Sequence, residues 1–84
     1  MALPTEPVTL NVDQINELNR KLSTMRHDVN NQLALVMAAV ELIRCRPEDT
    51  GRVLKMLVEQ PHKISECVAQ FSRELESALR ITRS

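Results

Sequence analysis

Eighty-four residues make at most one small domain, and a lone chain of that size struggles to bury enough apolar surface, so self-association is expected. One Gly, one Phe and no Trp or Tyr, set against many Ala, Leu, Val, Met, Glu, Lys, Arg and Gln, favour helix over strand. The 11 basic and 11 acidic side chains cancel, so no basic surplus points to nucleic acid or an anionic membrane.

Residues 1–10 carry Pro4 and Pro7 and no periodic pattern, which predicts a loose or extended arm. A two-helix domain is expected over residues 11–82. Asn11 is placed to cap the first helix, with Gln14 three residues on to complete a capping box. Leu10 and Ile15 are spaced for a hydrophobic staple. Ile15, Leu18, Leu22, Met25, Val29, Gln32, Val36, Ala39 and Ile43 then alternate by three and four, a heptad seam with one polar member. No Pro or Gly interrupts residues 8–46. The first helix is expected over about 11–45, roughly 50 Å long, and such a rod needs a partner face. In residues 33–43 only Glu41 is charged, so that stretch is expected to be covered on more than one side.

Arg46-Pro47-Glu48-Asp49-Thr50-Gly51 is the break. Pro47 suits the first turn of a second helix, and Glu48 and Asp49 favour its dipole. The second helix is expected over about 48–81 with the stripe Leu54, Leu57, Pro61, Ile64, Val68, Phe71, Leu75 and Ala78. Pro61 removes a backbone donor and crowds the Leu57 carbonyl, which predicts a kink. The short connection makes the helices antiparallel neighbours. The expected fold is all-α, an antiparallel helical hairpin that dimerises into a four-helix bundle.

His27 falls at heptad position f, away from the seam. Ser23, Thr24, Asn30 and Asn31 lie three and four residues from it, so it stands on a polar ledge. A neutral imidazole nitrogen is a competent phosphoryl nucleophile near pH 7. Asp28 follows on the helix and can take a proton from the ring. Asn31, one turn on, can hydrogen-bond a phosphoryl oxygen or orient a water. Asn30 and Asn31 are poor helix formers in mid-helix with no capping duty. A purely structural dimerisation hairpin needs none of this cluster, although the heptads alone would suit it equally. A helical DNA-binding module is disfavoured by the zero net charge.

His27-Asp28-Val29-Asn30-Asn31-Gln32-Leu33, with Ala34-Leu35-Val36 and Glu41-Leu42-Ile43, resembles the H-box of sensor histidine kinases, most of all the subgroup carrying His-Asp-x-Asn-Asn. Val68-Ala69-Gln70-Phe71-Ser72-Arg73 is similar to the end of the second helix of their dimerisation and histidine-phosphotransfer domain. The resemblance covers about residues 18–75. It implies a homodimer with His27 as phosphoacceptor and Asp28 as its acid/base partner. It also implies a dephosphorylation role for Asn31. Gln32, five residues after the histidine, matches a related subgroup whose phosphatase motif ends in Gln; its seam position favours Asn31. The implied partners are an ATP-binding kinase domain, in cis or in trans, and the aspartate-bearing receiver domain of a response regulator.

The chain departs from that family in one respect. Nothing in it is placed to cradle ATP phosphates, and Gly51 is its lone glycine. No cofactor is therefore expected on this chain, and ATP-Mg enters only through a separate catalytic domain. Two arrangements stay open: a domain of a kinase, or a stand-alone phosphotransfer protein. The sporulation phosphotransferases, with a similar Arg-His-Asp-x-x-Asn run, resemble the second. The His-x-x-Lys-Gly pattern of monomeric phosphotransfer domains is not present.

The remaining candidates are plainer. His62 is expected to be solvated or tied to the Pro61 kink. Met25, Met37 and Met56 are expected to fill core, and Cys45 and Cys67 to be ordinary thiols. Arg26 is suited either to neutralising a phosphoryl group or to a surface role. No stretch of about 18 apolar residues and no basic-then-apolar leader is present, so a cytoplasmic chain is expected.

Overall fold

The computed structural model describes residues 2–80, so the expected ends at Met1 and at residues 81–82 lie outside the described residues. Two long helices, α1 (Val12–Cys45) and α2 (Thr50–Leu79), are joined by one 3-10 turn (Pro47–Asp49). No strand pairs with another to form a sheet among the described residues. No helix among them is long and apolar enough to cross a membrane.

α1 begins where the capping box places it. The Gln14 backbone N–H donates to Asn11 Oδ1 at 2.8 Å, and the Asn11 N–H donates to Gln14 Oε1 at 2.9 Å. Two otherwise unpaired donors of the first turn are satisfied reciprocally. Residues 2–11 precede it without helix, and residues 4–8 share a shallow cleft with Arg80 beside the end of α2.

Arg46 ends α1, its N–H still donating to Leu42 O at 2.8 Å. Pro47 heads the 3-10 turn rather than α2, which starts two residues later than expected, at Thr50. The turn is stitched by short-range bonds. Thr50 Oγ1 donates to Pro47 O at 2.6 Å, and half-buried Asp49 receives Arg46 at 3.3 Å and Arg52 at 3.4 Å. α2 passes through Pro61 without dividing. It closes on Arg80, which adopts the left-handed conformation (φ 56°) and donates its N–H to Glu76 and Ser77 carbonyls.

The α1 seam is nearly the one its heptads predict. Leu18, Leu22, Met25, Val29, Gln32, Val36, Ala39 and Ile43 are all half-buried or buried, and only Ile15 stays exposed. The α2 seam is rotated by one position. Val53, Leu57, Gln60, Ile64, Cys67, Phe71, Glu74 and Ala78 turn toward α1, again at alternating four and three. Leu57, Ile64, Phe71 and Ala78 are common to both stripes. Leu54, Pro61 and Val68, expected in the seam, are exposed instead. An ion pair crosses at the open end, Lys21 Nζ to Glu74 Oε2 at 2.6 Å.

The hairpin measures 59 × 28 × 12 Å, so it is one helix thick. Its radius of gyration is 18.2 Å, against about 12 Å for a compact chain of this length. Only Ala39, Val53 and Gln60 are buried among the described residues. Successive residues turn by about 100°, and the sense of turning reverses between antiparallel helices. Leu33, Met37 and Val40 of α1 therefore come to the same broad face as Leu54, Val58 and Val68 of α2. All six are exposed, Val58 and Met37 by 75% and 71%. Met37 and Met56 are thus surface residues of the hairpin, not core filler.

Asn11→Ala should lower unfolding stability by about 1 kcal/mol. Urea melts at one fixed protein concentration check it; an unmoved midpoint would show that the cap contributes nothing.

Candidate functional site

His27 lies just short of the middle of α1, on the edge opposite the α2 seam, and is exposed. Its heptad neighbours Met25 and Val29 are half-buried and anchor that turn against α2. The seam thus pushes the imidazole outward, as position f predicts.

Asn31 shares that edge. Its carboxamide Nδ2 stands 3.3 Å from His27 Nε2. The four-residue spacing is what brings the two side chains together. The Asn30 side chain, also exposed, makes no hydrogen bond among the described residues.

Asp28 is turned away from the ring. It is half-buried and helps to line a groove of about 600 Å³ between the helices, with Thr24, Met25, Cys67, Gln70 and Phe71. That groove opens on the broad face opposite the Leu33–Val58 patch. No side chain among the described residues hydrogen-bonds Asp28. The carboxylate is a free acceptor one position from the histidine, available to a proton that leaves the ring through an approaching group or water.

Gln32 sits in the seam, and its Oε1 is buried without a partner. Gln60, facing α1 from the other helix, donates Nε2 to Met56 O at 3.3 Å and likewise leaves Oε1 buried and unpaired. Asn31, not Gln32, therefore shares the histidine's surface. Arg26 is exposed beside His27.

Several features escaped the sequence patterns. Lys21 and Glu74 are 53 positions apart, and only the antiparallel pairing brings them together. The hydrogen bond from Lys21, and then its charge, hold the Glu74 carboxyl below the usual carboxylate range. The Arg20 hydrogen bond does the same for Glu17. His62 is exposed, as expected, and its Nε2 lies 3.1 Å from Glu66 Oε1, a pair that the four-residue spacing would have signalled. Cys45 is exposed and Cys67 half-buried, and both are free thiols. Among the described residues no group of three or more His, Cys, Asp and Glu side chains is placed to hold a metal ion.

Compared with protein-family models, with curated proteins and with solved structures, the chain matches none.

A carboxyl held low when folded stabilises the fold above its ordinary pKa, and that contribution is lost as pH falls through the lowered value. The stability of the wild type should therefore exceed that of Glu74→Gln at neutral pH, and the gap should close under acid. Parallel denaturant melts across the acid range test this. A gap that is independent of pH would show that Glu74 acts by packing alone.

Proposed function

We propose that this chain is the dimerisation and phosphoacceptor domain of a two-component sensor histidine kinase. On this reading it takes a phosphoryl group on His27 and passes it to an aspartate of a response-regulator receiver domain. The observation that carries the reading is the exposed His27 edge, where the Asn31 carboxamide meets Nε2 at 3.3 Å, with the Asp28 carboxylate one position on in the adjoining groove. The run His27-Asp28-Val29-Asn30-Asn31 and its resemblance to the H-box support the same conclusion.

Two copies would join through the broad face that carries Leu33, Met37, Val40, Leu54, Val58 and Val68. A one-layer hairpin cannot cover these side chains itself, and domains are stable as two packed layers. Full burial of a side chain such as Leu or Val is worth about 1.5–3 kcal/mol. A second hairpin on that face makes a four-helix bundle. It leaves the His27 edge and the Asp28 groove accessible.

The chemistry balances on this chain's own groups. A separate kinase domain holding ATP presents the γ-phosphoryl group. The His27 Nε2 lone pair forms the N–P bond while the P–O bond to ADP breaks, and ADP takes that electron pair. The ring proton on Nδ1 leaves to water, which can pass it to Asp28. In the second step Nδ1 takes a proton back from water, a receiver carboxylate oxygen attacks phosphorus, the P–N bond breaks, and neutral imidazole leaves with the bonding pair. Asn31 is then placed to orient a water in the competing hydrolysis.

Incubation with a kinase module and ATP, or with phosphoramidate, should give an acid-labile, base-stable phosphate. His27→Ala should abolish it with helicity intact, and equal labelling of that variant would end the phosphoacceptor reading. Asp28→Asn should slow the kinase-dependent reaction by about a hundredfold.

Sedimentation should find a dimer. Leu33→Lys with Val58→Lys should raise its Kd at least tenfold, about 1.4 kcal/mol. A wild type that stays monomeric, or a double variant that dimerises equally well, would remove the bundle from the proposal.

A further inference from the structure

We infer that Asn31 is a positioning residue that sets the tautomer of His27: its amide holds Nε2 unprotonated and covers that nitrogen until a phosphoryl group displaces it. The inference deepens the phosphoacceptor reading and rests on it for its consequence, while the tautomer itself stands apart from any phosphorylation.

A carboxamide nitrogen carries only N–H donors. The atom facing Asn31 Nδ2 at 3.3 Å is His27 Nε2, which must then present its lone pair. A neutral imidazole has one protonated and one bare nitrogen, so the proton sits on Nδ1. A free histidine side chain in water favours the opposite form, with the proton on Nε2. Asn31 therefore works against the intrinsic preference, and a net hydrogen bond of ordinary strength moves the ratio by about threefold to tenfold.

The choice of nitrogen matters for phosphoryl acceptance. Nε2 is the outer ring nitrogen, farther from the helix backbone than Nδ1. Only with its lone pair free can it form the N–P bond there. In the reaction with phosphoramidate that lone pair attacks phosphorus, and the P–N bond of the donor breaks. Ammonia leaves with the bonding pair, and the phosphoimidazolium releases its Nδ1 proton to solvent. The Asn31 amide is long-bonded and exposed, so it yields to the incoming group without a buried rearrangement. Its N–H donors can then turn to a phosphoryl oxygen.

His62 supplies an internal control in the same molecule. Its Nε2 faces a carboxylate oxygen, Glu66 Oε1, at 3.1 Å. A carboxylate only accepts, so this ring keeps its proton on Nε2. The two histidines should hold opposite tautomers for opposite reasons.

The test is long-range ¹H–¹⁵N correlation NMR on the uniformly ¹⁵N-labelled whole chain, at about pH 8. His27 should show mainly the Nδ1–H form and His62 the Nε2–H form. Asn31→Ala should move His27 toward Nε2–H, and Asn31→Asp should move it further, because a carboxylate draws the proton to the facing nitrogen. His62 should not change in either variant. With phosphoramidate, wild-type His27 should take the label once the Asn31 amide has swung off Nε2.

Nε2–H as the main form of wild-type His27 would overturn the inference, as would an unchanged tautomer in Asn31→Ala. An Nδ1–H ring that responds to Asn31 but takes no phosphate would uphold the tautomer assignment and sink the phosphoacceptor reading instead.

Discussion

The seam between α1 and α2 orders everything else in this molecule. It is a line of side chains at alternating three and four along two antiparallel helices, and it runs nearly the full length of both. Helices this long gain little from propensity alone and persist because an apolar face is covered. The seam fixes the rotation of each helix about its own axis. Once that rotation is set, every other position is assigned to an edge, a broad face or the partner helix.

Three consequences follow for the region around His27. The histidine is sent to the outer edge, opposite the seam. Asn31, one turn on, stays with it, while Asp28 is carried about 100° round to the groove face. Gln32 is drawn into the seam, where its Oε1 has no partner. Four polar residues within six positions of the chain thus occupy three different environments. The same rotation brings Glu74 across from Lys21 and closes the open end of the hairpin with an ion pair.

The seam covers one stripe per helix, and this chain carries two. A single layer 12 Å thick leaves Leu33, Met37, Val40, Leu54, Val58 and Val68 on one broad face. The opposite face carries the groove and the charged rim around it. This asymmetry gives the proposed dimer a defined side, and it keeps the proposed phosphoacceptor edge clear of that contact. The buried, unpaired Oε1 atoms of Gln60 and Gln32 make the inner seam less than fully apolar, so cohesion is modest where the hairpin meets only itself.

Much of this architecture is legible in the residues alone. The capping box at Asn11 and Gln14, the break at Pro47, the α1 seam and the outward His27 all rest on local rules of spacing and hydrogen bonding, which need no partner to operate. The pairing of Asn31 with His27 belongs with them, because four residues are one helical turn. The α2 seam is different. Val53 and Leu54, and Cys67 and Val68, are adjacent apolar pairs, so two neighbouring stripes satisfy the same heptad. Periodicity cannot choose between them, since either one would bury a continuous row. Only the meeting with α1 decided which row turned inward, and with it the Lys21–Glu74 contact, the position of Gln60 and the apolar face left outside. A helix's own sequence determines that it has a face; which of two overlapping faces is used depends on the surface packed against it.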